Sequence, residues 1–284
     1  MSRLNAAQRI ASAVLGSAVC LGATAAAADE IGAAAVVLPS EPALSGQQIH
    51  ERVVANRFRS FTQDSKLISA DRAGRVQESR FHMKWQDFRN RAEGSNERVS
   101  SKTLVRYSYP FDLRHAGYLI LAHDERANDQ FVYYPSRRRV ARVSLRSEAV
   151  YGTDFSFEDV VPREADDFHC ERLPNAMLQG TEVYVVDLTP RDHVDSAYSR
   201  IRVYVDTQRS VVVHARYWDD ARVEIKQLLA PAAQIREYDG VYVPMRATMR
   251  NLLLDSQTTL FVTSLEPNPQ LEAETWDLRR LEGH

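Results

Sequence analysis

The chain has 284 residues, with 36 Lys and Arg against 38 Asp and Glu, two cysteines and 44% apolar side chains. That apolar share is enough for a packed core and argues against disorder, and two cysteines cannot build a disulfide scaffold or a four-ligand zinc ribbon. A formal charge of −2 supplies no basic excess for nucleic acid.

The first 28 residues read as a cleaved signal peptide. Arg3 and Arg9 precede or flank an apolar run from Ile10 to Gly22, and Ala26-Ala27-Ala28 stands before Asp29, an A-x-A-like cleavage site. The run is too short and too rich in Ala, Ser and Gly to span a bilayer. Ser17-Ala18-Val19 before Cys20 does not make a lipoprotein signal, so the expectation is a soluble protein exported to the periplasm. Cleavage removes two arginines and no acid, leaving a charge of −4 and Cys170 as the one thiol. Residues 29–44 read as a flexible lead, and 45–284 as a single domain.

Ser45 is a candidate N-cap, and Ile49, Val53, Phe58 and Phe61 fall near helical spacing, which predicts one amphipathic helix over Gly46–Phe61. Alternation then dominates. Phe81, Met83 and Trp85 alternate with Arg80, His82 and Lys84, and Ile201, Val203 and Val205 with Arg200, Arg202 and Tyr204. Similar runs, joined by short turns such as Asp206–Arg209 and Asp239–Gly240, give about 11–12 strands and few helices to cross between them. The predicted class is mainly β: an antiparallel, incomplete (half-open) barrel with covering helices.

Between Val143 and Pro174 the alternation stops. Tyr151-Gly152-Thr153-Asp154-Phe155-Ser156-Phe157-Glu158-Asp159-Val160 and an acidic stretch from Glu164 to Glu171 read as a long loop, a lid or the rim of a cavity. Signals for catalysis are weak. His50-Glu51 lacks the second histidine of a zincin, since position 54 is Val54, and no P-loop, G-x-S-x-G or dinucleotide glycine pattern occurs. Asp166, Asp167, His169, Cys170 and Glu171, and next Asp192, His193 and Asp195, are the best ligand-like groups, with spacing that suits a polar loop as well. The expectation is no metal, no cofactor and no enzyme, an exported hydrolase using Cys170 being the lesser alternative.

The block Asp129-Gln130-Phe131-Val132-Tyr133-Tyr134-Pro135-Ser136-Arg137-Arg138-Arg139-Val140-Ala141-Arg142-Val143, followed by Gly152-Thr153-Asp154-Phe155-Ser156-Phe157-Glu158-Asp159, resembles the outer-membrane lipoprotein-sorting proteins of the LolA-like superfamily, in a branch related to an uncharacterised treponemal periplasmic protein. Tyr238-Asp239-Gly240-Val241-Tyr242-Val243-Pro244 and the later Thr258-Thr259-Leu260 match the same branch, so the resemblance runs over about residues 46–281. It implies a LolA/LppX-like half-barrel whose hydrophobic cavity receives acyl chains in the periplasm. Phe157 stands where the branch has a tyrosine, and no residue matches the arginine that gates the cavity of the lipoprotein carrier proper.

A cavity for acyl chains needs a continuous apolar wall, and Met and aromatic side chains adapt to variable lipids. The candidate wall residues are Phe81, Met83, Trp85, Tyr118, Ile120, Phe131 and Tyr133, whose other reading is ordinary core. Arg137, Arg138 and Arg139, with Gly152, Asp154, Phe155 and Phe157, are the candidate rim and lid; the arginines suit phosphate headgroups or a solvated turn. Asp154 reads as a loop-fixing group rather than an acid or base. The expected partners are a lipid or an acylated lipoprotein, with an inner-membrane lipid transporter or an outer-membrane acceptor beside it. A sensor or interaction module on the same scaffold is the alternative.

Overall fold

The computed structural model describes residues 44–89, 99–123, 126–144, 147–161 and 164–282; the expected signal peptide (1–28) and nearly all of the segment read as a flexible lead (29–44) lie outside them. Ser45 opens α1 (Gly46–Ala55) with a reciprocal cap: its hydroxyl accepts from the Gln48 N–H at 3.1 Å, and the Gln48 side chain accepts from the Ser45 N–H at 2.8 Å. The helix stops six residues before the predicted end at Phe61, because the chain from Ser60 onward is extended and paired on both sides.

Six strands form the first meander: β1 (Ser60–Ala70), β2 (Val76–Asp87), β3 (Val99–Tyr109), β4 (Gly117–His123), β5 (Asp129–Tyr134) and β6 (Arg139–Val143). A crossing segment with the one-turn helix α2 (Phe157–Val160) leads to β7 (Phe168–Leu178), β8 (Thr181–Pro190), β9 (Arg200–Asp206), β10 (Val212–Trp218) and β11 (Glu224–Leu229). The small hairpin β12 (Ile235–Tyr238) and β13 (Val241–Pro244) precedes β14 (Arg246–Asn251) and β15 (Ser256–Pro267). Thirteen strands make one antiparallel sheet in the order β6-β5-β4-β3-β2-β1-β15-β14-β11-β10-β9-β8-β7, and β12 and β13 pair apart.

The described residues therefore form fifteen strands, more than the 11–12 expected, for three reasons. β1 carries a bulge at Asp64/Ser65 that breaks its alternation. β7 hides behind its acids and Pro174, which sits where the register slips between Leu173 and Ala176, as a proline in an edge strand does. The expected strand Tyr242–Asn251 is two, ending β13 at Pro244 and restarting at Arg246.

The two edges, β6 and β7, are consecutive in sequence. Thirteen strands at about 4.8 Å spacing would span roughly 58 Å if flat, so the connection between them must cross the whole sheet. It does so over one face. Phe157 packs on Tyr118 of β4 at a ring distance of 5.3 Å, and two residues later Asp159 accepts from Lys226 of β11 at 3.0 Å. β4 and β11 lie six strands apart, roughly 29 Å in a flat sheet; two residues of backbone reach only about 7 Å, and inner-face side chains that stand roughly perpendicular to a flat sheet would not make up the rest. The sheet is accordingly curled toward the crossing segment, an open half-barrel with unpaired edges.

Pairing defines an inner face, carrying Phe81, Met83, Trp85, Val105, Tyr118 and Ile120, and an outer face, carrying Leu104, Leu119, Phe131 and Tyr133. On the inner side α1 covers the β7–β9 wing, where Ile49 joins Val186, Leu188, Ile201 and Val203. Gly46 lets it do so, since a Cβ there would stand 2.5 Å from the Cys170 carbonyl oxygen. The crossing segment covers the β3–β5 wing, where Val150 and Phe157 bury against Val105, Tyr107, Tyr118 and Ile120. Outside, the C-terminal turns Ala273–Trp276 and Leu278–Arg280 lay Trp276 and Leu281 over Leu104, Leu119 and Tyr133. Among the described residues no helix is long and apolar enough to cross a membrane.

Candidate functional site

The site is the inner trough and the segment that lies over it. Residues 147–161 turn back on themselves, with Val150 N–H donating to the Phe155 carbonyl at 2.8 Å and a bridge between Ala149 and Ser156. The turn needs left-handed backbone at Tyr151 (φ 47°) and at Gly152 (φ 77°), where glycine is free of strain. Tyr151 Oη donates to the Gly117 carbonyl at 2.9 Å, and its ring lies among Tyr107, Tyr118 and Tyr134. Burial raises the Tyr151 hydroxyl pKa, so it stays a donor.

Three carboxylates then fasten the segment at successive points across the trough. Buried Asp154 accepts from Thr258 Oγ1 at 2.7 Å and from Ser256 Oγ, both on β15, while its own N–H donates to Thr258 Oγ1. Glu158 accepts from the Ala197 N–H at 2.8 Å and from the Ser196 hydroxyl, in the β8–β9 connection. Asp159 caps α2 through Ser156 and accepts from Tyr198 Oη at 2.8 Å and Lys226 Nζ at 3.0 Å. The Asp159 side chain is 2% exposed and that of Lys226 12%, so this is a buried ion pair. The segment Tyr151–Val160, which reads in the sequence as a long loop, a lid or the rim of a cavity, is a strap tied down at β15, the β8–β9 connection and β11.

The expected rim and lid residues divide accordingly. Asp154 is tied to β15 rather than to the backbone of its own turn, and Phe155 is partly buried against the α1 wing. Phe157 is 1% exposed and meets Tyr118 edge-on, so the missing tyrosine hydroxyl would have had no solvent to reach. Arg137, Arg138 and Arg139 are all exposed at the β5–β6 turn, where Arg138 takes a left-handed conformation (φ 48°) and Arg137 lies over the Tyr134 ring. Gly152 is exposed at the tip of the strap.

The seven wall candidates are not brought together. Phe81 and Met83 are half-buried on the inner face, Tyr118 and Ile120 are buried there beneath the strap, and Trp85 is buried and stacked on Phe61. Phe131 and Tyr133 face outward against Trp276 and Leu281. The period-two pattern fixes which residues of one strand share a face, but not which face of β5 matches which face of β4. Register settles that: Tyr118 is opposite Val132, and Leu119 opposite Phe131. Sequence reading missed Phe61, Leu260, Val262 and Leu265, half-buried on the inner faces of β1 and β15 and in none of the four buried clusters. Alternation across the β1 and β15 bulge would have found them only with the register in hand.

The trough thus has two covered wings and a thinly covered floor along β2, β1 and β15. A separate cleft of about 450 Å³ lies at the opposite rim, between the β7–β8 and β9–β10 turns, and is lined by Gln179, Thr207, Gln208 and Arg209.

The groups that suggested other chemistry lie apart. In β7, His169 and Cys170 are adjacent and so point to opposite faces. Burial pushes the Cys170 thiol up to about 11, leaving it protonated at neutral pH. Asp167 is taken up by the Glu164 N–H at 2.7 Å. Among the described residues no group of three or more His, Cys, Asp or Glu could hold a metal ion.

A family model described as an uncharacterized protein matches residues 99–283. No curated protein matches the sequence. Among solved structures, a DUF1329 family protein from Desulfovibrio piger superposes with a TM-score of 0.76 at 18% identity, over 83% of this chain and 97% of that one. An outer membrane lipoprotein-sorting protein domain from Vibrio parahaemolyticus gives 0.75 at 20% identity, over 84% and 98%. A LolA superfamily protein from Nitrosomonas europaea gives 0.65 at 18%, over 83% and 98%. These likenesses fix the architecture. The chain belongs to the family of that uncharacterized-protein model, and its half-barrel is the LolA-like fold of the lipoprotein-sorting domains.

Proposed function

We propose that the protein is a periplasmic carrier that receives lipid or lipoprotein acyl chains in the inner trough and passes them between envelope membranes by reversible burial, with no covalent step. The observation that carries this reading is the contrast along the inner face. Both wings are covered, yet the floor keeps Phe61, Phe81, Met83, Leu260, Val262 and Leu265 half-buried, beside a strap that pairs with none of the sheet's strands. An acyl chain of roughly 16 carbons gains on the order of 12 kcal/mol by leaving water, enough to drive entry. The strap gives a reason for release. Val150 and Phe157 occupy the wall that an entering chain would use, so the protein competes with its own cargo and lowers its apparent affinity. The sequence's export signal and the lipoprotein-sorting neighbour from Vibrio parahaemolyticus support the same setting.

The test is uptake of a fluorescent fatty acid by the purified protein. Uptake that is lost in Met83→Asp, with the circular dichroism spectrum unchanged, is the expected result, because Met83 is half-buried and tolerates a charge better than a core position. Absence of uptake by the unaltered protein, or full uptake by a folded Met83→Asp, refutes the reading.

A further inference from the structure

We infer that the rim carrying the β1–β2, β3–β4, β5–β6, β10–β11 and β14–β15 turns docks on a bilayer containing anionic lipid. Eight large apolar side chains are exposed among the described residues, and seven stand on or beside these five turns. Phe111 is 88% exposed in the β3–β4 turn, Val76 67% at the start of β2, and Leu253 and Leu254 65% in the β14–β15 turn; Tyr109, Tyr134 and Val223 are the others. Sheet order makes the turns neighbours along one rim of the half-barrel. They are apolar tips on separate hairpins, the arrangement that enters a planar interface, rather than a continuous face for a second protein.

Charge points the same way. Arg72, Arg114, Arg137, Arg138 and Arg139 are exposed around these tips, and none takes part in an ion pair among the described residues. Of the acids on these turns, Asp71, Glu78 and Asp255 are matched by Arg75, Arg80 and Arg250, leaving Asp112, Asp219 and Asp220, the last two in one turn with the exposed Arg222. A chain with a net formal charge of −2 thus concentrates unmatched positive charge where its apolar tips are. The strap lies just inside this rim: Tyr151 binds Gly117 at the start of β4, and Asp154 binds Ser256 at the start of β15. A docked rim would set the covered end of the trough against the lipid. The inference therefore rests on the acyl-carrier reading for its purpose, though not for its test.

That test is flotation of the purified protein with vesicles of phosphatidylglycerol and phosphatidylcholine, against vesicles of phosphatidylcholine alone. The expected result is binding to the anionic vesicles that weakens with salt. Replacing Arg137, Arg138 and Arg139 together by Gln should weaken it by roughly a hundredfold, at about fivefold per arginine. Phe111→Ser with Leu253→Ser should abolish it while leaving fatty-acid uptake from solution intact, since these side chains are outside the trough. Met83→Asp should do the reverse. No binding to protein-free vesicles, or binding indifferent to both sets of rim variants, overturns the docking surface and leaves the carrier reading standing.

Discussion

At the scale of single residues, the polar groups inside this half-barrel are positioning groups for the strap. Lys226 and Asp159 illustrate the cost of such a choice, because two buried charges are tolerable only together. Lys226→Met leaves a carboxylate that is 2% exposed with only Tyr198 and Ser156 as partners, and should lower unfolding free energy by about 3 kcal/mol in a denaturant titration. Asp129 provides a pH handle elsewhere. Hydrogen bonds from Arg126, His123 and Arg142 hold its carboxyl below the ordinary carboxylate range of about 3.9. A depressed folded value means the carboxylate contributes stability above the unfolded pKa and loses it as pH falls through the window below about 4. Asp129→Asn should therefore be less stable than the unaltered protein at pH 7, with the gap closing in melts below pH 4; a gap independent of pH would show that the ion pairs contribute nothing.

At the scale of elements, the strap is the part of the molecule that the sequence half revealed. Its aromatics and its break in alternation are visible in Tyr151, Phe155 and Phe157, and Asp154 reads as a group that holds its own loop, though its partners are on β15. That it is fastened at three places is not visible, because Ser256, Ser196 and Lys226 are 102, 38 and 67 residues away from their partners. Strands followed a similar rule. Long hairpin meanders such as β8 to β10 announce themselves by alternation, whereas bulges blur β1 and Pro174 conceals β7. The wall set suffered most, since assigning Phe131 and Tyr133 to the outer face takes a cross-strand register that no single-strand pattern contains. If strap movement admits cargo, pinning the strap should block it. The Asp154→Cys, Ser256→Cys double variant, oxidised across the contact now made by the two side chains, should lose fatty-acid uptake and regain it on reduction; uptake that ignores the oxidation state would mean the trough fills by another route.

At the scale of the whole molecule, one curled sheet divides its labour between faces. The outer face of β3–β5 is closed by the C-terminal turns, both inner wings are closed by α1 and the strap, and half-buried apolar side chains remain on the floor along β2, β1 and β15. The apolar content that first signals only a core is thus spent on two things, a core and a covered surface. The most direct measurement of that claim is lipid extraction and mass spectrometry of the protein purified from the cells that make it, beside the Met83→Asp variant. Acyl lipid recovered with the unaltered protein and missing from the folded variant is the predicted result. Protein repeatedly recovered without acyl lipid, and unable to take up a fatty acid offered in solution, would contradict it.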